Sequence, residues 1–219
     1  MKIHKLTKET NLKLLQQEVL KQQIKITELE KNNKELEAIL RRLIIERNIT
    51  ELLRSAVSFD QICEKILATV CENLGFQLGL FWSYDYELNM LCCTKIWRSS
   101  FLREETEFEL VSQQTLFSPG VGLPGRLLIS NKPTWIEDVV KDDNFPRANV
   151  ADKIGLHSAF GFPILIGSEV FGIMEFFLQN FQPVDETILN LMANLGSQIG
   201  EFNWHNWHGK VNNQTRYFC

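Results

Sequence analysis

The sequence is short of every feature that would tie it to a disulfide scaffold, a membrane or a nucleic acid. Its five cysteines (Cys63, Cys71, Cys92, Cys93 and Cys219) are odd in number and follow neither a zinc-ligand nor a disulfide-framework spacing. No apolar run approaches the ~18 residues a membrane-spanning helix needs. The N-terminal MKIHKLTKET leads into no apolar segment, so no signal peptide is read there. These absences imply a cytoplasmic chain with no membrane partner. Basic charge is also thin. The net charge is −4 over 219 residues, and although residues 1–54 carry twelve Lys/Arg against eight Asp/Glu, they form no concentrated stripe. A nucleic-acid surface needs such a stripe, so no nucleic-acid partner is expected. No nucleophile–base pair or metal-ligand cluster stands out either. His205 and His208 stand three apart without a nearby carboxylate or thiol and read as a solvated helix end. The expectation is a non-enzyme with no catalytic and no metal residues.

What the sequence does contain is a long heptad. Leu12, Val19, Ile26, Asn33 and Leu40 fall at a, and Leu15, Gln22, Leu29, Leu36 and Leu43 fall at d. A 3–4 spacing sustained this long argues for a coiled coil. Beta-branched residues at a with Leu at d favour two parallel strands, and a single Asn at a fixes register at some cost in stability. A parallel homodimer is expected, with Leu15, Val19, Ile26, Leu29, Asn33, Leu36 and Leu40 as its seam. Ile39 and Ile44 fall off the strict repeat at g and e, which predicts cover from something other than a lone partner helix.

The pattern changes after the heptad. Phe59 to Gly75 reads as a helix, 78–85 and 90–97 as a hairpin, 134–139 as a strand, and 144–155 as a loop with a short helix. Two apolar strands and a helix beginning near Asp185 complete the chain. Residues 103–118 are ambiguous, with a short strand at 115–117 as one option. Gly196 and Gly200 lie one turn apart on the last helix, where they would admit a close neighbouring helix. The order argues for an α+β fold, a single antiparallel sheet flanked by helices, rather than alternating βαβ units. The domains are set at 1–49 for the coiled-coil helix, 50–203 for the globular domain and 204–219 for a tail.

Within FSPGVGLPGR, Gly120, Gly122 and Gly125 fit Gly-x-Gly-x-x-Gly. A dinucleotide turn needs a buried strand before it and a long helix after it. Here Pro119 ends a poor strand, and Asn131-Lys132-Pro133 stops the following helix after about two turns, too short for a parallel crossover. The glycines therefore shape a turn, with Pro124 in the first turn of a short helix.

The stretches FSPGVGLPGRLLISNKPTWIEDV and DDNFPRANVADKIGLHSAFGFPILIGSEVFGIMEFF resemble a GAF domain of the bacterial sensor-kinase type, over about 50–202. The resemblance implies a sheet of about six strands with terminal helices on one side and a ligand pocket on the other, roofed by short inserted helices. It implies a sensory role, an unidentified small molecule, and a downstream signalling protein as partner. No kinase, cyclase or DNA-binding segment follows Phe202, so partner contact or a remnant of a sensor kinase is expected. The Cys-His pair of bilin-binding relatives is absent from 144–152, which argues against covalent bilin. Relatives that bind cyclic nucleotides carry an Asn-Lys pair where this chain has Leu178 and Gln179. A methionine-sulfoxide-reducing relative carries Gly-Val-Cys-Gly where this chain has GLPG, so Pro124 replaces the nucleophile. The cofactor is left unknown. Trp135, Phe145, His157 and Phe162 are the candidate pocket, with His157 also the one candidate haem ligand.

Overall fold

The structure, a computed structural model, describes residues 2–102 and 104–208, with side chains described from 13 to 204 apart from 103. Leu12, His205, His208, Cys219 and nearly all of the 204–219 tail lie outside the described side chains. Helix α1 (Lys2–Ser55) is uninterrupted, and the chain divides into two compact units, residues 1–43 and 44–219.

In the first unit the seam side chains Leu15, Val19, Ile26, Leu29, Leu36 and Leu40 are 49–64% exposed. Leu14, Leu20 and Ile24 add apolar surface off the seam. Exposed pairs at i, i+4 (Lys31–Glu35 at 3.9 Å, Glu37–Arg41 at 3.8 Å) support the helix locally, by about 0.2–0.5 kcal/mol each.

The second unit is a six-stranded antiparallel sheet between two helical layers, as the alternation of its strands requires. The strands are β1 (Leu78–Asp85), β2 (Met90–Arg98), β3 (Leu116–Phe117), β4 (Thr134–Ile136), β5 (Ser158–Ile166) and β6 (Glu169–Leu178), in the order β3-β2-β1-β6-β5-β4. Side chains of a strand alternate between faces. From β1, β5 and β6, Phe81, Phe160, Phe162, Ile164, Met174 and Phe176 meet α2 (Phe59–Leu74), α6 (Glu186–His208) and the end of α1. Leu78, Leu80, Trp82, Ile173 and Phe177 face the opposite side. That side is covered by three short helices, α3 (Glu107–Gln114), α4 (Gly122–Ser130) and α5 (Ala148–Lys153).

Several expectations are refined here. Ile39 and Ile44 remain 50% and 45% exposed, and the α1 residues in the core are instead Ile45 and Ile49, both fully buried. The ambiguous stretch 103–118 contains α3, opened by a capping box in which Thr106 accepts from the Glu109 amide and Glu109 accepts from the Thr106 amide. β4 stops at Ile136, because Asp138 folds the chain into a turn by accepting from the Val140 amide at 3.2 Å. Gly196 and Gly200 admit a strand rather than a helix. A Cβ at either would overlap the carbonyl oxygens of Pro163 and Leu165 on β5.

Candidate functional site

The four candidate pocket residues are not brought together. Trp135 and Phe162 belong to the core under α2 and α6, where Trp135 stacks on Phe160 and donates Nε1–H to the Gln182 carbonyl at 3.0 Å. Phe145 lies on the other side of the sheet, beneath the short helices. His157 sits half-buried at the start of β5, with Nδ1 3.4 Å from Asp138 Oδ1 and its ring stacked on Phe181. The sheet itself is the reason: residues two apart share a face, but Trp135 and Phe145 approach the sheet from strand and loop on opposite sides. Beside His157 is a surface cleft of about 460 Å3 lined by Glu137, Asp138, Lys141, Phe181, Gln182 and Pro183.

The glycine turn keeps its amides for itself. Gly120 and Gly122 have φ of +85° and +65°, the left-handed region that favours glycine. The Gly122 amide, the kind of donor a phosphate cradle would offer, donates to Asn144 Oδ1 at 3.0 Å, while Asn144 Nδ2 donates to the Gly120 carbonyl at 2.8 Å. Arg126 continues the tie from α4 to Asp142 at 2.9 Å. The turn thus anchors the loop 141–147 and aims the residue at its end.

That residue, Arg147, was not singled out in the sequence, and it is the most unusual side chain in the domain. It is 2% exposed and forms an ion pair with Glu175 of β6, which is 0% exposed. One guanidinium nitrogen donates to both carboxylate oxygens at 2.7 Å, and the other donates to the Ser112 hydroxyl at 2.8 Å. Ser112 in turn donates to the Phe108 carbonyl at 2.7 Å, which leaves its lone pairs for the arginine. Trp82 Nε1–H donates to Glu175 Oε2 at 2.9 Å. Five rings surround the guanidinium carbon at 4.8–5.5 Å from their centroids: Trp82, Phe108, Phe117, Phe145 and Phe177. Arg147 Nε has no hydrogen-bond partner. The sequence did carry a signal for this arrangement. Glu175 interrupts the apolar run FGIMEFF at an inward position of a central strand, and a buried carboxylate requires a cation or a donor set.

The free thiols are poorly suited to nucleophilic work. Burial raises the pKa of Cys63 and Cys71 well above the ordinary thiol value. Burial also pushes Cys93 up to about 12, against the opposing field of Arg147. Among the described residues no three His, Cys, Asp or Glu side chains converge on a point that could hold a metal, and no helix is long and apolar enough to cross a membrane.

A family model for the GAF domain matches residues 56–202. The fold is similar to the GAF domain of an Acinetobacter phosphoenolpyruvate-protein phosphotransferase, with TM-score 0.61 and 15% identity over 78% of this chain and 98% of that one. It is similar to the corresponding GAF domain from Coxiella burnetii (TM-score 0.64, 17% identity, 80% and 98% covered). It is also similar to a free methionine-R-sulfoxide reductase from Neisseria meningitidis solved with its substrate (TM-score 0.64, 14% identity, 78% and 93% covered). At such identities the likeness concerns the fold alone. No curated protein matches the chain.

Proposed function

The chain belongs to the GAF domain family, and from that premise we propose that it is a cytoplasmic, non-catalytic sensory module that works as a parallel homodimer. The observation that carries the reading is the Arg147–Glu175 pair, a desolvated charge pair inside the compartment between the sheet and α3–α5. An apolar core of the same shape is often as stable as a buried ion pair or more so. Polar chemistry in that compartment therefore suits recognition better than it suits stability.

Signal would pass through β6. Glu175 faces the compartment, while its neighbours Met174 and Phe176 pack in the core under α2 and α6. A change at Glu175 is felt on both faces of one strand, and two states that differ there differ in helix packing. A ligand shifts such an equilibrium only by its difference in affinity for the two states. The dimer is carried by the seam residues Leu15, Val19, Ile26, Leu29, Asn33, Leu36 and Leu40, and a downstream signalling protein is the natural recipient. Against catalysis stand Pro124 in the slot where a sulfoxide-reducing relative has its cysteine, and thiols held protonated by burial.

A second reading is favoured by the same compartment: its own side chains fill it, which suits a dimerisation module that binds nothing. A thermal-shift screen of nucleotides, haem, bilins and small metabolites separates the two. A saturable rise for one compound supports the sensor. A flat response across the screen, with nothing co-purifying by mass spectrometry, supports the scaffold. Bilin is expected to leave no denaturation-resistant coloured band.

A further inference from the structure

The compartment that Arg147 fills has the make-up of a cation receptor. Its base is a fully buried carboxylate, Glu175, oriented by the Trp82 indole, and a second acceptor is Ser112, whose proton is committed to the Phe108 carbonyl. Its walls are five aromatic rings, which attract a cation through their quadrupoles, more strongly where water is excluded. The acceptors call for N–H donors, which a quaternary ammonium lacks. The ring walls suit a flat, weakly hydrated cation over a compact ammonium. The occupant belongs to the chain itself and reaches the site from a loop held by Asn144 and Asp142 at the glycine turn, with α5, only six residues long, following it. Its Nε makes no hydrogen bond, so the two terminal guanidinium nitrogens make all of the polar contacts.

We infer that this compartment is a binding site for a small guanidinium compound, with Arg147 as its displaceable internal occupant. The inference rests on the sensory reading and supplies its ligand class. An entering guanidinium takes the Glu175 and Ser112 contacts, and the loop bearing Arg147 leaves with its side chain.

The test uses the full chain and two variants. Arg147→Ala removes every atom beyond Cβ, and ethylguanidinium replaces the missing group. Arg147→Met keeps an apolar stem should the alanine variant fail to fold, and guanidinium itself is then the probe. Each is titrated to about 20 mM beside ethylammonium and sodium chloride, with melting temperature and the Trp82 indole N–H resonance as readouts. Ethylguanidinium is expected to raise the melting temperature of Arg147→Ala by several degrees in a saturable way and to shift the Trp82 resonance, with a smaller response to ethylammonium and none to sodium. The response should vanish when Glu175→Gln is added. In the wild type the same shift should appear at higher concentration, because the tethered side chain competes at high effective concentration. A guanidinium response no larger than that to sodium in both variants overturns the inference. So does binding to the variants with no shift in the wild type, which would make Arg147 a fixed part of the core. Light scattering on the same samples keeps the dimer reading separate: a monomer that still responds to guanidinium sinks the dimer and leaves the site standing.

Discussion

At the residue scale the domain is organised around charges and thiols whose protonation and pairing are governed by burial. Glu175→Gln strands the Arg147 cation in an aromatic cage, and breaking a buried pair from one side costs about 3–5 kcal/mol. Replacing both partners, as in Arg147→Met with Glu175→Leu, is expected to recover most of that loss, read by chemical denaturation of the two singles and the double. Additive losses in the double would show that the pair is not a coupled unit. The thiols set a pH dependence. The folded-state pKa of Cys93 is raised to about 12, so the stability it contributes is whole below the ordinary thiol value of 9.0 and falls as pH climbs toward 12. Cys63 and Cys71 shift the same way. Between pH 9 and 10 each is expected to cost up to about 1.4 kcal/mol. Denaturation midpoints at pH 8, 9 and 10 for wild type and Cys93→Ala are the check, with a shallower decline in the variant. Glu175 left a signal in the sequence, a charge inside the apolar run FGIMEFF, although it was not singled out there. Arg147 left none, since an arginine after Phe145-Pro146 reads as an ordinary loop cation, and only the fold brings it 28 positions along to its partner.

At the element scale, periodicity did most of the work and close approaches did the rest. Apolar segments bounded by polar turns marked β1, β2, β5 and β6, and β1, β5 and β6, whose two faces feed two separate cores, read as near-continuous apolar runs. The inserted elements were harder. α3 is signalled only by Thr106-x-x-Glu109, and β4 was read three residues too long because Asp138 turns the chain where a Val-rich pattern suggests extension. The candidate pocket residues divide between the two sides of the sheet for a related reason: aromatic residues look alike in sequence whichever face of the sheet receives them. α6 shows a tertiary contact overriding a local preference. In an exposed helix, Gly→Ala gains about 1 kcal/mol. At Gly200 a methyl group would overlap the Leu165 carbonyl, so α6 must move away from β5. Gly200→Ala is expected to destabilise the domain by about 1–3 kcal/mol, the usual range for overpacking. A thermal melt at or above wild type would mean that α6 does not lie on β5 as closely as described.

At the scale of the whole molecule, the open matter is what the first 43 residues do. Their seam residues are half or more exposed, and a stripe of leucine, valine and isoleucine over several turns is not left to water without a partner. A second copy fits the sequence best, since the same face repeats every seven residues with polar interruptions only at Gln22 (d) and Asn33 (a). Replacing Leu29 and Leu36 by lysine places like charges at two adjacent d layers and should yield monomer. The GAF unit should remain folded, because its core starts at Ile45 and contains none of the seam. In a paired coil, Asn33→Val would remove an amide from the a layer. It is expected to raise the melting temperature of the dimer and at the same time broaden the choice of assembly, since no polar group is left to be stranded in a wrong register. Orientation has its own test. Leu15→Cys puts thiols face to face across a parallel pair and far apart in an antiparallel one, so mild oxidation should give a covalent dimer in excess of wild type. Multi-angle light scattering on all four proteins decides the matter. A wild-type monomer at tens of micromolar, or Leu15→Cys crosslinking no better than wild type, would remove the parallel coil and leave the exposed stripe to a partner of another kind.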